Sequence, residues 1–133
     1  MPDQLDFIAE IRSGKPSPKA LQWLRVGFDQ ALQDNDPRGL HDTLGLNTYS
    51  SGWTTEYRRR EWNVRLRQCR EILTDMTPWS AAVLISDEMA VQARSQRPPT
   101  SDLARLIREA IEIHPGGTRT RDGIYHALGR LGE

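Results

Sequence analysis

Three times in this chain a capping residue stands directly before a proline at the head of a segment with apolar residues every three or four positions: Ser17-Pro18, Asp36-Pro37 and Thr77-Pro78. A Ser, Thr or Asp side chain accepts a hydrogen bond from the open amides of a helix's first turn, and proline at the next position lacks only an N–H that had no intrahelical partner. Three helix starts are therefore set locally. The stops are as plain. Gly14 followed by Pro16, then Gly45, Arg97-Pro98-Pro99 and His114-Pro115-Gly116-Gly117 each end a helical run. Proline cannot continue a helix and steers the preceding residue away from helical angles, and glycine accepts the left-handed C-cap.

Between these marks the apolar spacing predicts seven helices. Residues 3–12 carry Leu5, Ile8 and Ile11 on one face. Residues 18–33 carry Leu21, Leu24, Phe28 and Leu32 as a core stripe, broadened by Trp23 and Val26. A short third helix starts at Asp36-Pro37, holds Leu40 and Leu44, and ends at Gly45. The loop 47–53 leads into a fourth helix with Thr54 or Thr55 as its cap. The fifth, from Thr77 to about Arg94, is apolar around most of its circumference at Ala81, Ala82, Val83, Leu84 and Ile85, which marks it as the central buried helix. Thr100 or Ser101 caps a sixth bearing Leu103, Leu106, Ile107, Ala110 and Ile111, and Thr120 caps a last one bearing Ile124, Leu128 and Leu131. No segment alternates β-branched residues with period two, and no internal repeat is present. The expected fold is all-α, a compact orthogonal bundle of six or seven helices with no sheet. Residues 1–97 form the bundle, and 98–133 form a C-terminal hairpin packed on it as one domain.

Charge is unevenly placed. The chain of 133 residues has 18 basic and 18 acidic side chains, so its net charge is zero. Yet the segment 57–73 holds Arg58, Arg59, Arg60, Arg65, Arg67 and Arg70 against Glu61 and Glu71, a local +4 that leaves −4 elsewhere. At about 100° per residue Trp62, Leu66, Cys69 and Leu73 superimpose as a core stripe that Ile72 widens. Arg59, Arg60, Arg67 and Arg70 project from one flank, and Arg58 and Arg65 lie near the other edge. Sixteen of the basic residues are Arg and two are Lys, a bias that suits phosphate or carboxylate forks but more often follows from a GC-rich genome. Neutrality excludes a histone-like binder but allows one basic face.

The arginine flank admits three readings. It is a nucleic-acid surface whose guanidiniums contact phosphates, a protein-interaction surface anchored by Trp53 or Tyr57, or a solvated face paired with Glu61, Glu71 and acidic residues such as Asp29, Asp34, Asp36 and Asp42. The last two helices have a helix-turn-helix outline, with Thr120, Ile124 and Leu128 at the spacing of recognition helices. On that reading Arg119, Arg121 and Tyr125 face a DNA groove, with Thr118 near phosphate. The connection after His114 is longer than the usual three or four residues, and an ordinary closing hairpin accounts for the same pattern.

The run Leu40-His-Asp-Thr-Leu-Gly-Leu46, a glycine-bearing loop, an arginine-rich helix containing Trp62-Asn63 and Leu66-Arg67, and a final helix with a Thr-Arg start together resemble small uncharacterised proteins encoded on bacterial phages and plasmids. The resemblance covers about half the chain and implies an accessory protein of a mobile element. It carries over no functional residues.

Signals for catalysis are weak. His41, His114 and His126 stand on three different elements, and no HExxH or cysteine cluster supplies a metal site. His114, before Pro-Gly-Gly, reads as a helix C-terminal residue whose positive charge suits the helix dipole. Asp87 and Glu88 are adjacent and point about 100° apart. Cys69, the only cysteine, lies on the apolar stripe and reads as a buried thiol, with no disulfide possible within the chain. No phosphate-cradling glycine motif is present, so no cofactor, no metal and no enzymatic activity are expected. No secretory leader and no run of eighteen apolar residues is found, which points to the cytoplasm and away from the membrane. The expectation is a DNA-binding regulatory or accessory protein contacting phosphate through Arg59, Arg60, Arg67 and Arg70 and a groove through Arg119, Arg121 and Tyr125. The alternative is a protein-binding adaptor or a homo-oligomerising protein using Trp53, Tyr57, Trp79 and the arginine face.

Overall fold

A computed structural model of the chain describes residues 3–35, 39–50 and 52–131, without the side chain of Leu131. The proposed Asp36-Pro37 helix start and the Leu131 contact lie outside the described residues. Within them the chain is all-helical, with seven α-helices and no strand: α1 Gln4–Arg12, α2 Pro18–Asp34, α3 Gly39–Thr43, α4 Trp53–Ile72, α5 Pro78–Arg94, α6 Asp102–Ile113 and α7 Arg121–Leu131. A single 3-10 turn, Leu46–Thr48, follows α3.

The local start signals act as their chemistry requires. Asp3 and Asp6 form a reciprocal capping box at α1. Ser17, Thr77 and Ser101 each accept a backbone N–H three residues on, at 3.2, 3.2 and 3.1 Å, and Thr120 accepts that of Gly123 at 3.0 Å. Gly45 takes the left-handed φ of 73° after α3. One cap differs. α4 begins at Trp53, because the Gly52 carbonyl already accepts the Glu56 N–H at 3.1 Å, so Thr54 and Thr55 lie inside the first turn rather than before it.

Two compact units divide the chain between Tyr57 and Arg58, within α4. The division expected at Arg97-Pro98, between bundle and C-terminal hairpin, lies inside the second unit. In the first unit Leu5, Ala20, Leu44, Leu46 and Tyr57 are buried. Of the α2 stripe expected to build this core, Leu24 alone turns inward and is half-buried. Leu21, Phe28 and Leu32 are 53%, 50% and 76% exposed, and α2 instead buries Ala20 and Gly27. The reason is close approach: a Cβ on Gly27 would overlap the Leu44 Cδ2 methyl, and Thr43 Oγ1 donates to the Gly27 carbonyl at 3.0 Å. The small-residue face gains backbone proximity that a leucine face would prevent. Trp23 Nε1 donates to the Leu44 carbonyl at 3.1 Å, and Tyr49 Oη donates to Gln4 Oε1 at 3.1 Å.

In the second unit Trp62, Leu66 and Cys69 of α4 pack with Ala81, Ala82, Ile85 and Met89 of α5, Leu106, Ile107 and Ala110 of α6, and Ile124, Ala127 and Leu128 of α7. α5 is the central element, as its composition predicts, and α6 and α7 each pack chiefly on α5. Each fully buried Ile, Leu or Met contributes about 1.5–3 kcal/mol relative to exposure, which places the stability of this unit on the α5 interface.

Candidate nucleic-acid interface

The buried stripe of α4 orients its arginines. With Trp62, Leu66 and Cys69 inward, Arg59, Arg60 and Arg67 fall on one flank and are exposed. Arg70 shares that flank but serves the fold. Its NH1 donates to the Leu73 carbonyl at 2.6 Å and its NH2 to the Met76 carbonyl at 3.2 Å, closing the carbonyl-rich C-terminal end of α4. Arg65, on the other edge, pairs with Glu61 at 2.6 Å and Glu109 at 3.5 Å and ties α4 to α6. Of the acids considered as neutralisers, Asp29 lies 3.9 Å from Arg25, Asp42 lies 3.7 Å from His41, and Asp34 accepts from Gln30 at 3.1 Å. Asp36 lies outside the described residues.

Residues 114–120 connect α6 to α7 and bring His114 beside the arginine helix. His114 stands edge-on to Trp62 with ring centroids 5.8 Å apart. Gly117 lies so close that a Cβ there would sit 2.8 Å from three atoms of the same indole. The connection is thus seated on α4 next to Arg58 and Arg59. Their charges, after burial as the larger cause, hold the His114 pKa below its usual 6.5. His114 ends α6 as its place before Pro-Gly-Gly predicts, its N–H donating to the Ala110 carbonyl at 3.0 Å, while burial and both guanidiniums disfavour the charged form that the helix dipole would favour.

Arg119 leaves this connection with its NH2 donating to the Pro115 carbonyl at 3.1 Å, and its own carbonyl accepts from Ser86 Oγ at 2.6 Å. Arg121 and Tyr125 are one helical turn apart on α7 and share a face. Arg121 pairs with Asp87 at 3.1 Å, both side chains more than half exposed, and Tyr125 stands edge-on to the exposed Trp79 at 5.6 Å. Exposed pairs of this kind contribute about 0–1 kcal/mol and exchange partners readily. The structure therefore places His114 beside Arg58 and Arg59 through Trp62, holds Arg119 against Pro115 and Ser86 on the connection, and groups Arg121 with Tyr125 and Trp79 on the α5–α7 surface.

Sequence reasoning passed over Arg58, His114 and Gly117 as site-forming residues. In the sequence the Gly116-Gly117 pair marks only the end of a helix, and the close approach of Gly117 to Trp62 shows in the structure alone. Tyr57, proposed as an exposed anchor, is buried, with Arg12 NH1 donating to its hydroxyl at 3.1 Å and the guanidinium carbon 5.5 Å from the ring centroid. Trp53 lines an apolar cleft of about 390 Å³ in the first unit with Ile8, Ile11, Trp23, Leu24 and Leu44.

Cys69 is fully buried, and desolvation pushes its thiol up to about 12, outside the range of a nucleophile. Asp87 and Glu88 diverge as expected, the first to Arg121 and the second to Gln92 at 2.8 Å. Among the described residues no group of three His, Cys, Asp or Glu could hold a metal ion, and no helix is long and apolar enough to cross a membrane. No protein-family model, curated protein or solved structure matches the chain.

Proposed function

We propose that this chain binds DNA, with the α4 flank of Arg59, Arg60 and Arg67 as its phosphate-contacting surface. The observation that carries the reading is the exposure of these three arginines on one flank, within a unit that is itself basic. Residues 58–133 contain thirteen Arg against ten Asp and Glu, whereas residues 1–57 contain five basic against eight acidic side chains. Guanidiniums on a phosphate backbone release condensed counterions, and the resulting affinity is independent of sequence. Arg121 can exchange Asp87 for a phosphate or base edge, and Tyr125 and Trp79 offer apolar surface next to it. Arg119 adds charge on the α6–α7 connection, and Arg70 serves chiefly as an α4 cap. The resemblance to phage- and plasmid-encoded proteins supports an accessory role in a mobile element.

Fluorescence-anisotropy titration with random duplex DNA tests this reading. Three phosphate contacts predict a loss of roughly 40-fold in affinity between about 50 and about 200 mM salt. A salt-independent affinity, or none at the lower salt, contradicts it.

A protein-binding adaptor is the second reading, favoured by the first unit's apolar cleft and by the exposed Trp79–Tyr125 pair. Both are concave or aromatic features of the kind that accept an apolar anchor from a partner. Retention of a partner by the wild type and not by a Trp79→Ser variant, with DNA binding absent, selects that reading.

A further inference from the structure

The helix α2 has two apolar faces, and among the described residues only one of them is buried. The used face is the small-residue one centred on Ala20 and Gly27. The other consists of Leu21, Phe28 and Leu32, which lie within about 40° of each other around the helix and span about 16 Å along it. All three are half exposed or more. Exposed apolar side chains scattered singly are ordinary, but three aligned on one stripe form a contiguous patch of the kind that marks an interface.

The charges beside this stripe indicate what covers it. Arg25 and Asp29 lie on the same side of the stripe, two residues to either side of Gly27, and form only a loose 3.9 Å pair with side chains 77% and 71% exposed. A two-fold axis that pairs α2 antiparallel with a second α2, crossing the exposed stripe at the level of residue 27, leaves each flank facing its own copy. Arg25 then stands level with Asp29 of the second chain, and Asp29 with its Arg25. Leu21 meets Leu32, and the Phe28 rings meet near the axis. A parallel arrangement places the charged flanks on opposite sides of the interface, where they find no partner. Complementarity to itself under a two-fold rotation is the defining property of an isologous interface. We infer that the exposed Leu21–Phe28–Leu32 face of α2 is the interface of a homodimer, closed by antiparallel pairing with a second copy of this chain and by reciprocal Arg25–Asp29 ion pairs. The inference rests on the first unit alone and is independent of the DNA reading.

Sedimentation equilibrium between about 1 and about 100 µM tests it. The expected result is a concentration-dependent shift from one to two chains per particle. Leu32→Gln and Phe28→Ser, both at exposed positions, should each weaken association tenfold or more while leaving the helical circular dichroism unchanged. Arg25→Asp should weaken it several-fold by setting like charges level, and the exchange Arg25→Asp with Asp29→Arg should restore it. A single chain at every concentration overturns the proposal. So does a dimer that neither apolar variant weakens, which places the interface elsewhere. Loss in Arg25→Asp without recovery in the exchange variant refutes the antiparallel pairing.

Discussion

The imidazole of His114 stands edge-on to the indole of Trp62, with ring centroids 5.8 Å apart and planes at 75°. Fifty-two positions separate them in the sequence, and their contact seats the α6–α7 connection on the arginine helix. It brings a titratable group next to Arg58 and Arg59, and it makes the geometry of the basic surface depend on a packing detail at Gly117.

Gly117→Ala should destabilise the protein by about 1–3 kcal/mol, because its methyl group would press on a core indole that cannot move freely. Gly116→Ala is the control, with open space where the methyl would go, and should change stability by less than about 0.5 kcal/mol. Urea denaturation of the two variants beside the wild type measures the difference.

Acidification should weaken the fold through His114. Its folded pKa lies below the unfolded value near 6.5, so the unfolded chain binds the proton first as pH falls. The associated stability is present above the unfolded pKa and is lost as pH drops through it toward the folded value. Denaturation midpoints between about pH 8 and about pH 5 should fall more steeply for the wild type than for His114→Gln. In Arg58→Gln/Arg59→Gln the imidazole should titrate at a higher pH by NMR, since two of the causes of its lowering are removed.

Helix ends were legible because they are made locally. Ser17, Thr77, Ser101 and Thr120 cap helices with atoms three residues away, and Pro18 and Pro78 beside the first two act through their own backbone. The α2 core face was not legible. Leu21, Phe28 and Leu32 carry the stronger hydrophobic signal, and the choice of Ala20 and Gly27 instead is imposed by Leu44, seventeen residues beyond Gly27. Burial of Tyr57 depends in the same way on Arg12. The arginine flank could be read from spacing alone, since one helix positions it. Its neighbourhood with His114 and Gly117 could not, because it arises from packing across the whole second unit.

Gly27→Ala should cost about 1–3 kcal/mol, and the loss should shrink when combined with Leu44→Ala, which removes the methyl it meets. A double-mutant cycle by chemical denaturation reads this coupling directly. Additive losses would mean that Gly27 does not set the α2–α3 approach.

Cys69 should be inert in the native protein. A fully buried thiol with its pKa raised to about 12 offers almost no thiolate at neutral pH. Thiol-exchange labelling in buffer should proceed only as fast as the protein opens, and in denaturant should consume one equivalent at once.

The most direct test of the account compares duplex DNA binding by the wild type and by the Arg60→Glu/Arg67→Glu variant at about 50 mM salt. Both side chains are exposed, so the variant should keep its helical content and thermal midpoint. The account predicts that affinity falls by at least tenfold and that the salt dependence flattens, because two phosphate contacts become repulsive. Unchanged affinity in a folded variant would contradict the assignment of the α4 flank as the DNA-contacting surface.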